Sequence, residues 1–283
     1  MANEQHHEQP RILGELLDSL EGQLRGRAAP GVRAIHRPPG GSAEPTSPFT
    51  VVELDSEPMA MGLSYNLLED GSARARYDAL DLHALAGEGD ALSLARRVLG
   101  SDPAQRVVGY AACHALSQLL LRDGAAGEGL RETERDLAEV LEPGPADHVG
   151  MVGHTPRMVR RFEAAGAGTI TVLERRGREP DAAEACGAAV TTAPAELAAC
   201  NKVLITSTTL LNDTFDAIER ATRGAALRAL YGPGAGVLPH ALFGRGIDAV
   251  GGMVVTNPAE LVRRQLAGER WGDARRKVVW LRA

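Results

Sequence analysis

Apolar residues recur at Ile12, Leu13, Leu16, Leu17, Leu20 and Leu24, the spacing of one helix face, so a helix is expected over Arg11 to Leu24. The period then changes. The segments "VRAIH" (32–36) and "FTVVEL" (49–54) read as strands, separated by the Pro/Gly/Ser-rich "RPPGGSAEPTSP". A third strand candidate, "MAMGLSYNLL" (59–68), is broken by Gly62. Helical spacing returns from Asp90 to Leu99 and from Gln105 to Leu121. In the latter, Val107, Val108, Ala111, Ala112, Ala115, Leu116 and Leu119 form a broad buried stripe. A helix, a small meander and more helices predict an α+β first half.

After the glycine-rich break "GAAGEG" (124–129), Arg131 to Leu141 reads as a charged helix that "EPGP" (142–145) ends. Short apolar runs then alternate with helical stretches. Strands are expected at Val149–Val152, Thr169–Leu173, Ala189–Thr192, Val203–Thr206, Leu227–Tyr231 and Ala249–Val255, with "RKVVWLR" adding an edge strand at the C-terminus. That alternation is the pattern of a parallel, doubly wound sheet, the second part of an α/β chain. The expected division is a first domain at 1–124, a linker helix at 125–146 and a second domain at 147–283.

Composition narrows the partners. A chain of 283 residues with net charge −6 lacks the basic surface that phosphate neutralisation demands, which argues against nucleic acid. No apolar run approaches the roughly 18 residues of a membrane span, and "MANEQHHEQP" is too polar for a signal peptide. Cys113, Cys186 and Cys200 are odd in number and far apart, which fits a reducing cytoplasm better than a disulfide framework. A cytoplasmic protein with a small-molecule partner is expected; a homo-oligomer is left open.

The candidate chemistry centres on "VGMVGHTPRMV" (149–159), a strand, a glycine turn at Gly153 and a helix opened by Pro156. Proline at the first helical position leaves the next free N–H groups aimed at a ligand. Glu174 ends the second strand about 20 residues after Gly153, where the Rossmann arrangement places an acid that accepts from ribose hydroxyls. The turn lacks the glycine-rich run that a pyrophosphate requires, which favours S-adenosylmethionine or a related nucleoside over NAD. Thr206, Ser207, Thr208 and Thr209 end another strand, where their hydroxyls are placed to reach a ligand crevice; Thr209 or Asn212 is alternatively a helix cap. Gly232 and Pro233 begin a backbone-lined loop, "YGPGAGVLPH", that ends in His240. His154 is a candidate metal ligand, acid/base or capping residue. His114 lies at the margin of its helix stripe, where it is either packed or turned toward the second half. No Cys-x-x-Cys, His-x-x-x-His or serine-centred nucleophile elbow occurs.

The second-half segments "VGMVGHTPRMVRRFEAAGAGTITVLER", "VLITSTTLLNDTFDAI" and "YGPGAGVLPHALFGRGIDAVGGMVV" resemble the Rossmann-like domain of the heavy-metal-chelation family. "FTVVELDSEPMAMGLSYNL" and "RVVGYAACHALSQ" resemble that family's enolase-N-like domain. The resemblance spans nearly the whole chain and implies an α+β enolase-N-like N-terminal domain followed by a Rossmann-like doubly wound sheet. It marks Gly153, the 206–209 run, Asn212, Thr214 and the Gly232-Pro233 turn as elements of an interdomain cleft. The resemblance departs at two places: His114 follows "GYAAC" where the family usually has Asn, and Gly234-Ala235-Gly236 stands where the family has a loop containing serine or threonine.

Two functions follow as expectations. The first is a small-molecule enzyme, a transferase or cyclase, that binds S-adenosylmethionine or a related nucleoside at the interdomain cleft and moves or cyclises an alkyl or aminocarboxypropyl group. The second is a protein that binds a heavy metal or metal chelate without catalysis, through His154, His114, His240 or nearby carboxylates, with His154 and His114 as the expected pair of ligands if two imidazoles converge on one divalent ion.

Overall fold

The structure is a computed structural model that describes residues 11–38, 48–68, 70–124, 129–175 and 187–283. The bulk of the 124–129 break, most of the 37–48 loop and Cys186 fall outside the described residues.

Helix α1 (Arg11–Leu24) buries its expected stripe, with Ile12, Leu13, Leu16, Leu17, Leu20 and Leu24 all nearly inaccessible. Strands β1 (Val32–His36), β2 (Phe49–Leu54) and β3 (Met61–Tyr65) form an antiparallel meander. Helices α2 (Gly71–Asp78), α3 (Leu82–Gly87), α4 (Ala91–Ala95) and α5 (Pro103–Arg122) follow. Each is opened by an aspartate, Asp70, Asp81, Asp90 or Asp102, whose carboxylate accepts from first-turn N–H groups. Helix α5 is buried on nearly every face, as expected for a helix apolar all round. Strand β3 lies directly on it: a Cβ at Gly62 would sit 2.1 Å from the Ala115 amide nitrogen and 2.5 Å from the Ala111 carbonyl. The glycine that interrupts the strand pattern is therefore a close-approach position.

The second half is an eight-stranded sheet. Its members are β4 (Leu130–Thr133), β5 (His148–Val152), β6 (Thr169–Leu173), β7 (Ala189–Thr191), β8 (Lys202–Thr206), β9 (Leu227–Tyr231), β10 (Ala249–Val255) and β11 (Arg275–Arg282), in the order β4-β11-β10-β9-β8-β5-β6-β7. The strands from β5 to β10 are mutually parallel. Counted from β5 their order is 3-2-1-4-5-6, the doubly wound Rossmann arrangement, with its switch point between β5 and β8. Helices α6 (Leu137–Leu141) and α7 (Pro156–Ala164) pack on one face. The short α8 (Thr208–Leu211), α9 (Phe215–Ala221) and α10 (His240–Gly244) pack on the other with α1 and α5; α11 (Pro258–Leu266) follows β10. No helix among the described residues is long and apolar enough to cross a membrane.

Two expectations are corrected. Arg131 to Leu141 is not one helix: Leu130–Thr133 is strand β4, antiparallel to β11, and α6 begins only after Asp136, which forms a capping box with Glu139. Leu, Arg and Glu favour helix locally, but pairing with a strand nearly 150 residues away overrides that preference. For the same reason "RKVVWLR" is not an edge strand, because β4 covers its outer side.

Candidate functional site

The switch point brings the end of β5, the end of β6 and the end of β9 together. Gly153 turns the chain with φ +81°, and a Cβ there would lie 3.0 Å from Thr206 Cγ2, so the turn requires glycine on both conformational and steric grounds. The His154 N–H donates to Glu174 Oε2 at 3.0 Å, and the Arg175 N–H donates to Glu174 Oε1 at 3.1 Å. The carboxylate is thereby fixed beside the turn. A carboxylate offers about four acceptor positions, so each oxygen keeps a lone pair for a further donor. Thr155 precedes α7 without a side-chain cap; Pro156 has no N–H and the Met158 and Val159 N–H groups donate to the Thr155 carbonyl, which leaves the Arg157 N–H of the first turn without an acceptor among the described residues.

Tyr231, at the carboxyl end of β9, binds this turn from the side. Its hydroxyl donates to the Gly153 carbonyl at 3.3 Å and lies 2.8 Å from Thr155 Oγ1. Burial, opposed by the Thr155 hydrogen bond and aided by the nearby Glu174 charge, raises the phenol's pKa and keeps it protonated. No local motif marks Tyr231; its signal in the sequence is its place as the last residue of a central strand, just before Gly232-Pro233.

The 206–209 run divides. Thr206 and Thr208 are half-buried, with hydroxyls 3.2 Å apart. Ser207 is buried, and its Oγ would lie 2.7 Å from a Cβ at Gly232, whose φ is +129°. Thr209 does not reach a crevice: it is 1 % exposed, and its hydroxyl donates to the Thr206 carbonyl at 2.7 Å. Asn212 is likewise engaged locally, accepting from the Thr214 hydroxyl at 2.6 Å. Asp213, at φ +61°, forms a bidentate ion pair with Arg106 of α5 and so ties this loop to the first half.

His114 belongs to a packed seam, not to a metal site. It is 1 % exposed. Its Nδ1 lies 3.1 Å from both the backbone nitrogen and the carbonyl oxygen of Leu63, and its Nε2 lies 3.3 Å from the Gln118 amide nitrogen. The same amide donates to the Gly236 carbonyl at 2.8 Å, and the Tyr110 hydroxyl donates to the Gly234 carbonyl at 2.8 Å. A Cβ at Gly236 would come within 2.5 Å of His114 Nε2. The imidazole on α5 is thus accommodated by the bare Gly236 backbone opposite. Burial depresses the His114 pKa to about 4, so the ring is neutral. Both its nitrogens are engaged, and the expected pairing of His154 with His114 on one ion is not supported. Among the described residues no group of three or more His, Cys, Asp or Glu side chains is arranged to hold a metal ion. His154 differs: its Nε2 is buried and without a hydrogen-bond partner, as is His240 Nδ1.

A cavity of about 630 Å³ opens beside this turn, lined by Tyr231, Gly232 and Pro233 but by neither Gly153 nor Thr206. All its lining residues fall between 132 and 279, so this cavity lies against the large sheet and not between the two halves.

Fold and turn together define an α/β chain that carries a Rossmann-ordered sheet without a dinucleotide fingerprint. The chain belongs to the DUF364 family, whose model, described as "Putative heavy-metal chelation", matches residues 136–279. A DUF364 protein of unknown function from Pyrococcus horikoshii superposes with a TM-score of 0.70 at 16 % identity, covering 95 % of this chain and 98 % of its own. One from Desulfitobacterium hafniense superposes at 0.67 and 19 % identity, covering 95 % and 99 %. An imine reductase from Myxococcus stipitatus in complex with NAD+ overlaps 38 % of the chain at a TM-score of 0.29, too slight a likeness to carry an argument. No curated protein matches the chain.

Proposed function

We propose that the chain binds a nucleoside-bearing small molecule, S-adenosylmethionine or a relative, at the β5/β8 switch point and acts there on a second small molecule. The observation that carries this reading is the Glu174 carboxylate, held beside the Gly153 turn by two backbone N–H groups with acceptor capacity to spare. Vicinal ribose hydroxyls are the donors that such a carboxylate suits. Thr206, Thr208 and the Tyr231 hydroxyl would shape the adjoining wall. When bound, the sulfonium supplies a carbon already activated for transfer or cyclisation of an alkyl or aminocarboxypropyl group. The chain's own residues then need only orient the reactants and exclude water. Calorimetric titration with S-adenosylmethionine, S-adenosylhomocysteine and adenosine tests the reading: saturable binding of at least one is expected, and binding of none overturns it.

A second reading has its own support in the family description and in the unpartnered His154 Nε2. The described residues do not suit a bare ion, which ordinarily takes three or more protein ligands. A metal that arrives already chelated needs only one, and the unpartnered Nε2 of His154 would supply it. Titration with nickel or zinc, free and as the nitrilotriacetate complex, separates the two cases: chelate binding without free-ion binding supports this reading, and binding of neither removes it.

A further inference from the structure

The cavity of about 630 Å³ falls in the size range of small-molecule sites. Its walls are apolar, with Met158, Met253, Trp271 and Val279 around the bare backbone of Gly251 and Gly252. Its rim is cationic. Arg135, Arg161 and Arg276 line it but are ion-paired, to Glu142, Asp136 and Glu132 respectively. Arg275 and Lys277 also line it, and no ion pair or side-chain hydrogen bond is formed by either among the described residues. Arg275 Nε is buried without an acceptor, an unfavourable state that an incoming anion would relieve.

The strand pattern explains why these two cations act together. On β11 the residues Arg275, Lys277 and Val279 share a face, opposite Val255, Met253 and Gly251 of β10. The two basic residues are therefore rooted roughly 7 Å apart along the strand, and both line the apolar cavity. Glu134 at the same mouth is exposed and unpaired, which leaves one opposing charge against two.

We infer that this cavity binds a small organic anion, its carboxylate or phosphate held between Arg275 and Lys277 and its apolar body against Met253 and Trp271. The site goes beyond the nucleoside reading and does not depend on it, although Tyr231 touches both regions.

Hexanoate, hexyl phosphate and the neutral control hexanamide test the inference on the full-length protein, by calorimetry and by tryptophan fluorescence, since Trp271 lines the cavity. At least one anion should bind about tenfold or more tightly than hexanamide, and the winning arm identifies the head group. Lys277→Gln and Arg275→Gln should each weaken that anion about tenfold while leaving hexanamide unchanged. Added salt should weaken the anion selectively. The proposal is overturned if neither anion outbinds hexanamide. It is equally overturned if Lys277→Gln, an exposed substitution that leaves the fold in place, binds the anion as wild type does.

Discussion

Around His114 every hydrogen-bonding atom is engaged: Leu63, Gln118 and Gly236 close on the ring, and the backbones of β3 and α5 are in contact at Gly62. Around His154 the opposite holds. Its Nε2 is buried with no partner, Glu174 keeps free lone pairs, and the first turn of α7 has no side-chain cap. One region is saturated and the other is left incomplete. Buried polar groups are ordinarily satisfied, so the unsatisfied region is where a ligand is expected and the saturated one is where stability resides. Substitutions should separate the two cleanly.

The largest effect should come from Gly62→Ala. The added methyl meets the backbone of α5, which cannot move aside as a side chain would. A loss of about 3 kcal/mol or more is expected, read from urea denaturation, and a near-neutral result would show that β3 does not pack on α5 as described.

The next largest is a pH effect. The His114 pKa is about 4 in the folded chain, against the ordinary 6.5. Between those values the unfolded chain takes up a proton that the folded chain refuses, so stability is full above about pH 6.5 and falls as pH drops toward 4. The fall attributable to this group is about 3 kcal/mol. His114→Gln should start less stable at neutral pH but lack that component of the slope, which denaturation at a series of pH values will show.

A smaller contrast separates the two histidines directly. His114→Ala should cost about 2 kcal/mol through lost packing and stranded partners, whereas His154→Ala should stay within about 0.5 kcal/mol. Equal losses at both positions would erase the distinction.

The sequence made the central sheet readable because buried parallel strands appear as short apolar runs, and β5, β6, β8, β9 and β10 lie within a residue of where those runs place them. Strand β4 was not readable, since "LRET" has helical composition and becomes a strand only by pairing with β11. Gly153 and Glu174 were visible through spacing alone, and in the structure Glu174 accepts from the N–H of His154, the residue after Gly153. At Thr209, Asn212 and His114 type and position do not reveal where a side chain spends its hydrogen bonds: each makes one within the fold. Tyr231 and the Arg275–Lys277 pair were missed for the converse reason. A strand-end tyrosine and two basic residues in a terminal strand read as ordinary solvent-facing positions until the sheet order sets them beside a turn and a cavity.

The central claim is that Glu174 is held in place by the fold for a ligand's donors, not for the fold itself. The direct measurement is the affinity of wild type and Glu174→Gln for S-adenosylhomocysteine, taken together with the melting temperature of each ligand-free protein. Glutamine replaces one acceptor oxygen by a donor, so affinity should drop about tenfold to a hundredfold, the equivalent of roughly 1.5–3 kcal/mol for a hydrogen bond to a charged group. The melting temperature should scarcely change. Wild-type binding that survives the substitution undiminished, or a variant that loses its fold along with its ligand, would contradict the account.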